Sequence, residues 1–406
     1  MASEIDVDLR RIYSRNFGQT PQGDIRTIDI TDIPSHDILC AGFPCQPFSK
    51  AGAQLGADCP DYGDLASRIV DWLRIARPQY FILENVPNLV RHRNGSLWRH
   101  FSTDLRQAGY DVRHCLLSPH KFGVPQIRER LYIVGSRTSL EYFQWPAPTN
   151  VETDIRAVLD PKPTYARRLP PKVVAAIDAW ARFIELYPKS QRKPSFPIWA
   201  AEFGATYPFA TATPVSLGAR TLRDYRGSFG VSLYSLKGRA LTDALPPYSR
   251  APTAVFPSWK IKFIQQNREL YERNRNWIDA WKHSLSDFDH SFQKLEWNFD
   301  RNTLSLWDTL IQLRGSGIRA KSPSYAPTLV SLNGSQVPVI AWERRFLTVR
   351  ECARLQGLDP LIHLPDSDVA AFRALGNGVN VPVTELIARQ LLESQQDGKK
   401  QRRLRA

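Results

Sequence analysis

The stretch Asp37-Ile-Leu-Cys-Ala-Gly-Phe-Pro-Cys-Gln-Pro-Phe-Ser49 begins as an apolar run and ends in a loop framed by prolines. Asp37–Gly42 is too short for a helix and closes on glycine. It shows no apolar–polar alternation, which marks a strand buried on both faces, as in parallel sheets. Working outward, Tyr80–Val86 (YFILENV) is a second strand-like run, and Tyr110–Leu117 and Arg130–Gly135 are two more strands. Between these runs, Leu65, Ile69, Trp72, Leu73 and Ala76 fall at helical spacing. So do Leu97, Trp98, Phe101, Leu105 and Ala108, with Gly109 placed to cap the helix. Alternation of strand and helix predicts a doubly wound α/β sheet.

The chain has 406 residues, 42% of them hydrophobic and 23% charged, enough for a large core and two or three domains. Its apolar runs, such as Val339–Trp342, are far shorter than the roughly 20 residues that span a bilayer. The opening residues Met1–Arg11 lack an apolar signal core. No membrane partner and a cytoplasmic location are therefore expected. The five cysteines (Cys40, Cys45, Cys59, Cys115, Cys352) are odd in number and scattered. That spacing argues against a disulfide framework and against a zinc site, so no metal is expected.

The formal charge of +14 calls for an anionic partner. Residues 151–340 hold 26 Lys and Arg against 16 Asp and Glu, and seven of the eleven tryptophans. This stretch reads either as a nucleic-acid surface or as a solvated basic face over an ordinary core. Prolines become frequent from Trp145-Pro-Ala-Pro onward and the strand–helix rhythm stops until about Asn333. The expected organisation is a first catalytic part over 1–147, an inserted and largely irregular domain over 148–335 with a helix at Ile261–Ser284, a second catalytic part over 336–393, and a basic tail over 394–406. Thr348 and Glu351 form a capping-box pattern ahead of a helix, and Val383–Leu392 is a final helix.

Open α/β sheets place their function at the carboxyl ends of strands. The first run delivers Cys45, held between Pro44 and Gln46, which reads as a nucleophile or as buried packing. The second delivers Glu84, a carboxylate closing an apolar strand, which reads as an acid or as an exposed loop residue. Gln126-Ile-Arg128-Glu-Arg130 puts two guanidinium groups on one face of extended backbone, a fit for an anionic or carbonyl target.

Together these pieces resemble the cytosine-C5 DNA methyltransferase family. The resemblance rests on Gly42–Ser49 (GFPCQPFS), Glu84-Asn85-Val86, Gln126-x-Arg128-x-Arg130, Arg350–Gly357 (RECARLQG) and Gly376–Pro382 (GNGVNVP), in that order and spacing. It covers roughly residues 12–147 and 328–392. It implies a doubly wound adenosylmethionine-dependent methyltransferase sheet, N-terminally incomplete, with an inserted target-recognition domain. The implied reaction is methyl transfer from S-adenosyl-L-methionine to C5 of a cytosine flipped out of a specific double-stranded DNA sequence, as in restriction–modification systems. By resemblance Cys45 attacks C6, Glu84 protonates N3, and Arg130 with Arg128 stabilises the base. Gln46, Ser49 and Gln126 are implied DNA contacts. So are Arg314, Arg319 and Lys321, on the Gly-containing stretch Leu313–Lys321 that is expected to be a loop.

For the cofactor, the resemblance implies Asp24, Ile25, Pro44, Leu65, Asn377 and Val379 as neighbours. The family normally opens with a strand, a Phe-x-Gly-x-Gly loop and a second strand ending in an acidic residue, and this sequence shows no such segment. Three explanations stand: an upstream start, a truncated inactive copy, or a split enzyme in which a second methyltransferase polypeptide supplies the motif. The expectation is that this chain alone binds the cofactor weakly. Two other readings are a catalytically inactive, sequence-specific DNA-binding subunit and an adenosylmethionine-dependent enzyme acting on RNA.

Overall fold

The computed structural model describes residues 1–43, 60–149, 151–297, 305–329, 336–358 and 363–405. Pro44, Cys45, Gln46 and Ser49 lie outside the described residues. Two compact units divide the chain. The first comprises 1–161, 324–334 and 349–406; the second comprises 162–323 and 335–348. The sequence reading sets its changes at 147/148 and 335/336 instead.

In the first unit the four expected strands form: β1 (Ile38–Gly42), β2 (Tyr80–Asn85), β3 (Asp111–Leu117) and β4 (Arg130–Ser136). Their order in the sheet is β1-β2-β4-β3. β1 runs parallel to β2, whereas β4 is antiparallel to both β2 and β3. Only a short connection without a crossover helix separates β3 from β4, so the chain can only turn back on itself there.

Both faces of this sheet are covered. Ile69, Val70 and Leu73 of the helix Pro60–Ile75 and Leu105 of the helix Ser96–Gln107 pack with Phe81, Leu83, Leu131 and Ile133. On the other face Val383, Ile387 and Leu391 of the helix Val381–Arg405 meet Ile82, Tyr132 and Val134. Double coverage explains why β2 and β4 read as near-continuous apolar runs. Each such side chain, fully buried, stabilises the fold by about 1.5–3 kcal/mol. Gly135 permits one close approach: a Cβ there would stand 2.0 Å from the Phe81 ring.

The second unit is more regular than its proline content suggests. It holds a six-stranded sheet of β5 (Ile198–Trp199), β6 (Lys294–Trp297), β7 (Leu310–Arg314), β8 (Gly317–Lys321), β9 (Val339–Ile340) and β10 (Arg345–Phe346). Their order is β10-β9-β7-β8-β6-β5. These strands are too short for a period of two to stand out in the sequence. Arg314, Arg319 and Lys321 are therefore on a β-hairpin rather than a loop, with Gly315–Ser316 as its two-residue turn. The expected helix Ile261–Ser284 is broken at Asn274 into Ser258–Arg273 and Arg275–Trp281. Trp180, Trp199, Trp281 and Trp297 are buried, so most of the tryptophans that suggested a nucleic-acid surface are core. Among the described residues no helix is long and apolar enough to cross a membrane.

Candidate active site

The strand ends of the first unit gather an acid, a cation and an amide. Gly42 ends β1 directly opposite Glu84 on β2, and Tyr132 of β4 faces Glu84 from the other side. Glu84 is a register partner of glycine, so that partner puts no side chain over its carboxylate: a Cβ at Gly42 would lie 3.8 Å from Glu84 Oε2. Arg130, the first residue of β4, brings Nε to 3.0 Å from Glu84 Oε1, with the two side chains 15% and 14% exposed.

Burial pushes the Glu84 carboxyl above its ordinary range, even though Arg130 and Arg128 both pull it down. Burial thus outweighs two guanidinium groups. The result is a carboxyl that keeps its proton closer to neutral pH than a surface glutamate does. The Tyr132 phenol, also raised by burial and then by Glu84, is pushed up to about 12 and stays neutral.

Asn85 follows Glu84 and is buried. Its Nδ2 donates to the carbonyl of Phe43 at 3.3 Å, while its Oδ1 accepts the Val86 N–H at 2.8 Å. Phe43 is the last described residue before Pro44-Cys45, so Asn85 fixes the root of that segment. The residue was quoted in the sequence as part of Glu84-Asn85-Val86 but given no role. Its signal was an amide at the very end of a buried strand, where a donor must find a partner.

The Gln126-x-Arg128-x-Arg130 residues separate in function. Arg130 faces Glu84. Arg128 is buried and donates to three carbonyls: Gly376 at 3.0 Å, Gly378 at 2.8 Å and Leu329 at 3.3 Å. It ties the Gly376-Asn-Gly378 turn and the Thr328-Leu329 segment to the start of β4. Gln126 is fully buried, and its backbone bridges Ala326. Among the described residues, neither amide atom of its side chain has a hydrogen-bond partner.

The expected cofactor neighbours fall in two places. Arg68 on the helix Pro60–Ile75 donates Nε to the carbonyl of Ile25 at 3.2 Å and Nη2 to that of Ile28. This joins the Asp24-Ile25 turn to the helix carrying Leu65, three residues before Arg68. Asp24 accepts from Arg26 Nε at 2.8 Å, and that hydrogen bond holds its carboxyl below the usual range. Asn377 and Val379 flank Gly378 on the turn that Arg128 holds. An ionised acceptor beside half-buried Ile25, with half-buried Leu65 on the helix that Arg68 joins to that turn, could meet an adenine ring, whose amino group donates and whose faces are apolar.

In the second unit Gln312, Arg314, Arg319 and Lys321 share one face of the β7–β8 hairpin. Glu296 on β6 pairs with Arg319, accepting its Nε at 2.5 Å. Arg314 Nε donates to Gln312 Oε1 at 2.9 Å. Burial, and then mutual repulsion led by Arg319, holds the Arg314 and Lys321 cations below their ordinary values. Three cations with one carboxylate make a surface that an anion would relieve.

The sequence profile of a family described as C-5 cytosine-specific DNA methylase matches residues 1–192 and 246–393. The chain is 29% identical over 459 aligned positions to the Type II methyltransferase M.AluI of Cellulosimicrobium cellulans, across 96% of this chain and 86% of that one. It is 34% identical over 284 to the Type II methyltransferase M.NgoBI of Neisseria gonorrhoeae, across 66% of this chain and 84% of that one. Among solved structures, the Entamoeba histolytica methyltransferase EhMeth superposes with a TM-score of 0.50 at 14% identity, over 97% of this chain and 90% of that one. That last likeness is one of fold alone.

Proposed function

The chain belongs to the C-5 cytosine-specific DNA methylase family, and from that premise we propose a division of labour among its residues. The reaction is methylation of cytosine C5 in DNA. Cytosine C5 is a weak nucleophile, and its ring sits inside the duplex stack, so the base must be turned out before any residue can reach it.

The observation that carries the assignment is the Glu84–Arg130 pair beneath side-chain-free Gly42. Glu84, with its raised carboxyl pKa, donates its proton to N3 of the base. Cys45, three residues beyond Gly42, gives its thiolate to C6. The new S–C6 bond and the N3 proton together leave C5 as an enamine-like carbon. After methylation, loss of the C5 proton expels Cys45, and Glu84 recovers the N3 proton. Arg130 keeps the carboxyl oriented and holds the base oxygen. Arg128, spent on three carbonyls, is a positioning residue that fixes the turn around Asn377.

S-adenosyl-L-methionine, when bound, supplies the electrophilic methyl group. Asp24, Ile25 and Leu65 would hold its adenine, with Pro44, Asn377 and Val379 as further neighbours. Residues 148–335 are the DNA-recognising segment, with the Arg314, Arg319 and Lys321 face on phosphates or groove edges. Gln46 and Ser49 would touch DNA beside Cys45. Gln126, being buried, would support that surface from behind.

The test is transfer of labelled methyl groups from S-adenosyl-L-methionine to duplex DNA, with RNA as the control. Glu84→Gln should abolish most of the transfer to DNA. Label appearing on RNA alone would overturn the reading. We also propose that a second polypeptide meets the edge of β1, which among the described residues pairs only with β2. A strand supplied from elsewhere would complete that edge. Calorimetry of the 406-residue chain with S-adenosyl-L-methionine tests this: micromolar binding by the chain alone would count against it.

A further inference from the structure

The stretch from Gly204 to Leu245 folds around a hydrophobic cluster of its own: Ala205, Tyr207, Leu222, Leu233, Leu241 and Leu245. It lies wholly between residues 192 and 246, where the family profile breaks off and resumes. At its centre is the turn Gly227-Ser-Phe-Gly230. The Gly227 N–H donates to Val231 at 2.8 Å and the Ser228 N–H to Ala244 at 2.7 Å. A Cβ on Gly227 would stand 2.2 Å from the Ala244 carbonyl oxygen. Buried Phe229 holds a φ of 56°, a left-handed conformation that a bulky side chain adopts only where its surroundings impose it.

This strained, tightly bonded turn presents an unusual surface. Val231 is 49% exposed and Tyr234 is 75% exposed. Arg220, Arg226, Lys237 and Arg239 are exposed in the same stretch. The stretch holds five Lys and Arg against two Asp, and one of those, Asp243, is engaged by Arg239 and Arg250, each at 3.4 Å. A solvent-facing ring on a fixed backbone, in a stretch whose five cations outnumber its two carboxylates, matches a nucleic acid: the ring covers a base or sugar while the cations meet phosphates.

We propose that Tyr234, Arg226, Lys237 and Arg239 form a DNA-contacting element distinct from the β7–β8 face, with Tyr234 packed on a base or deoxyribose and the cations on adjoining phosphates. This rests on the reading of residues 148–335 as DNA-recognising. The full chain is titrated by fluorescence anisotropy against a short random-sequence DNA duplex at several salt concentrations. Tyr234→Ala should weaken binding about tenfold and leave the salt slope unchanged. Lys237→Ala/Arg239→Ala should reduce the slope by about two, near 0.9 for each phosphate contact. All of these side chains are exposed, so the variants should keep the wild-type melting temperature. Wild-type affinity and slope in both variants would overturn the element. If Arg314→Ala/Arg319→Ala/Lys321→Ala then still loses binding, the broader reading stands without it. If that variant is also unchanged, both fall.

Discussion

Asn85 Nδ2 donates to the carbonyl of Phe43 at 3.3 Å, so the strand that carries the acid also holds the root of the segment that carries Cys45. Glu84 and the anchor of Phe43 are therefore neighbouring residues of one strand end. Asn85→Ala leaves the Phe43 carbonyl without that donor and should cost about 1–3 kcal/mol of stability. Single-turnover methyl transfer should slow at least tenfold while DNA affinity changes little. Wild-type turnover in Asn85→Ala would show that the segment is fixed by other contacts.

Glu84 gives a pH signature. Its carboxyl is raised by burial, so the protonated form survives above the ordinary carboxylate range and is lost as pH climbs through the raised value. The kcat/KM of the wild type should fall on that alkaline limb. The stability that this group contributes below its unfolded value is lost over the same window. Glu84→Gln should remove the limb and lower kcat by roughly 10²–10⁴-fold, with DNA binding changed far less. Equal losses in binding and rate would contradict an acid role.

Arg128→Ala separates positioning from contact with the base. It strips donors from the carbonyls of Gly376, Gly378 and Leu329. Carbonyls left buried without a donor cost about 1–3 kcal/mol each. Urea unfolding should show a midpoint shift worth several kcal/mol at unchanged m-value. Lost turnover with unaltered stability would instead mean that Arg128 touches the base.

Cys45 should form a denaturant-resistant adduct with duplex DNA carrying 5-fluorocytosine, because fluorine blocks the final loss from C5. Gel electrophoresis in denaturant reads this directly. An adduct that persists in Cys45→Ala would assign the nucleophile elsewhere.

Exchange of residues 148–335 for the corresponding segment of a relative should carry that relative's methylation pattern with it. Bisulfite sequencing of DNA methylated by the chimera reads the outcome. Retention of the original pattern would place recognition in the first unit.

The two central strands of the first unit, β2 and β4, were legible because each is an apolar run buried on both faces, as Phe81–Leu83 and Leu131–Val134 show; β1, expected to be buried likewise, is a half-exposed edge strand, and β3 carries exposed Asp111, Arg113 and His114. Glu84 and Arg130 were legible because charge at the edge of such a run is costly without a use. The antiparallel direction of β4 was not, since direction depends on a connection rather than on a period. The hairpin bearing Arg314 and Arg319 was hidden by glycines at 315 and 317 that serve a turn as readily as a loop. Arg128 showed its charge but not its aim: the carbonyls it meets lie some 200 and 250 positions away along the chain.

Thr153 Oγ1 donates to the carbonyl of Ser324 at 3.4 Å, across 171 positions of sequence. The chain thus departs from the first unit and comes back to it at one point. The free-energy cost of closing such a loop grows only with the logarithm of its length, about 0.6 kcal/mol per doubling. Material can therefore be lengthened or shortened between those two residues while the frame around Glu84 barely registers it. Length variation in this protein has a natural outlet, and the stretch from Gly204 to Leu245 is a segment of the kind such an outlet admits.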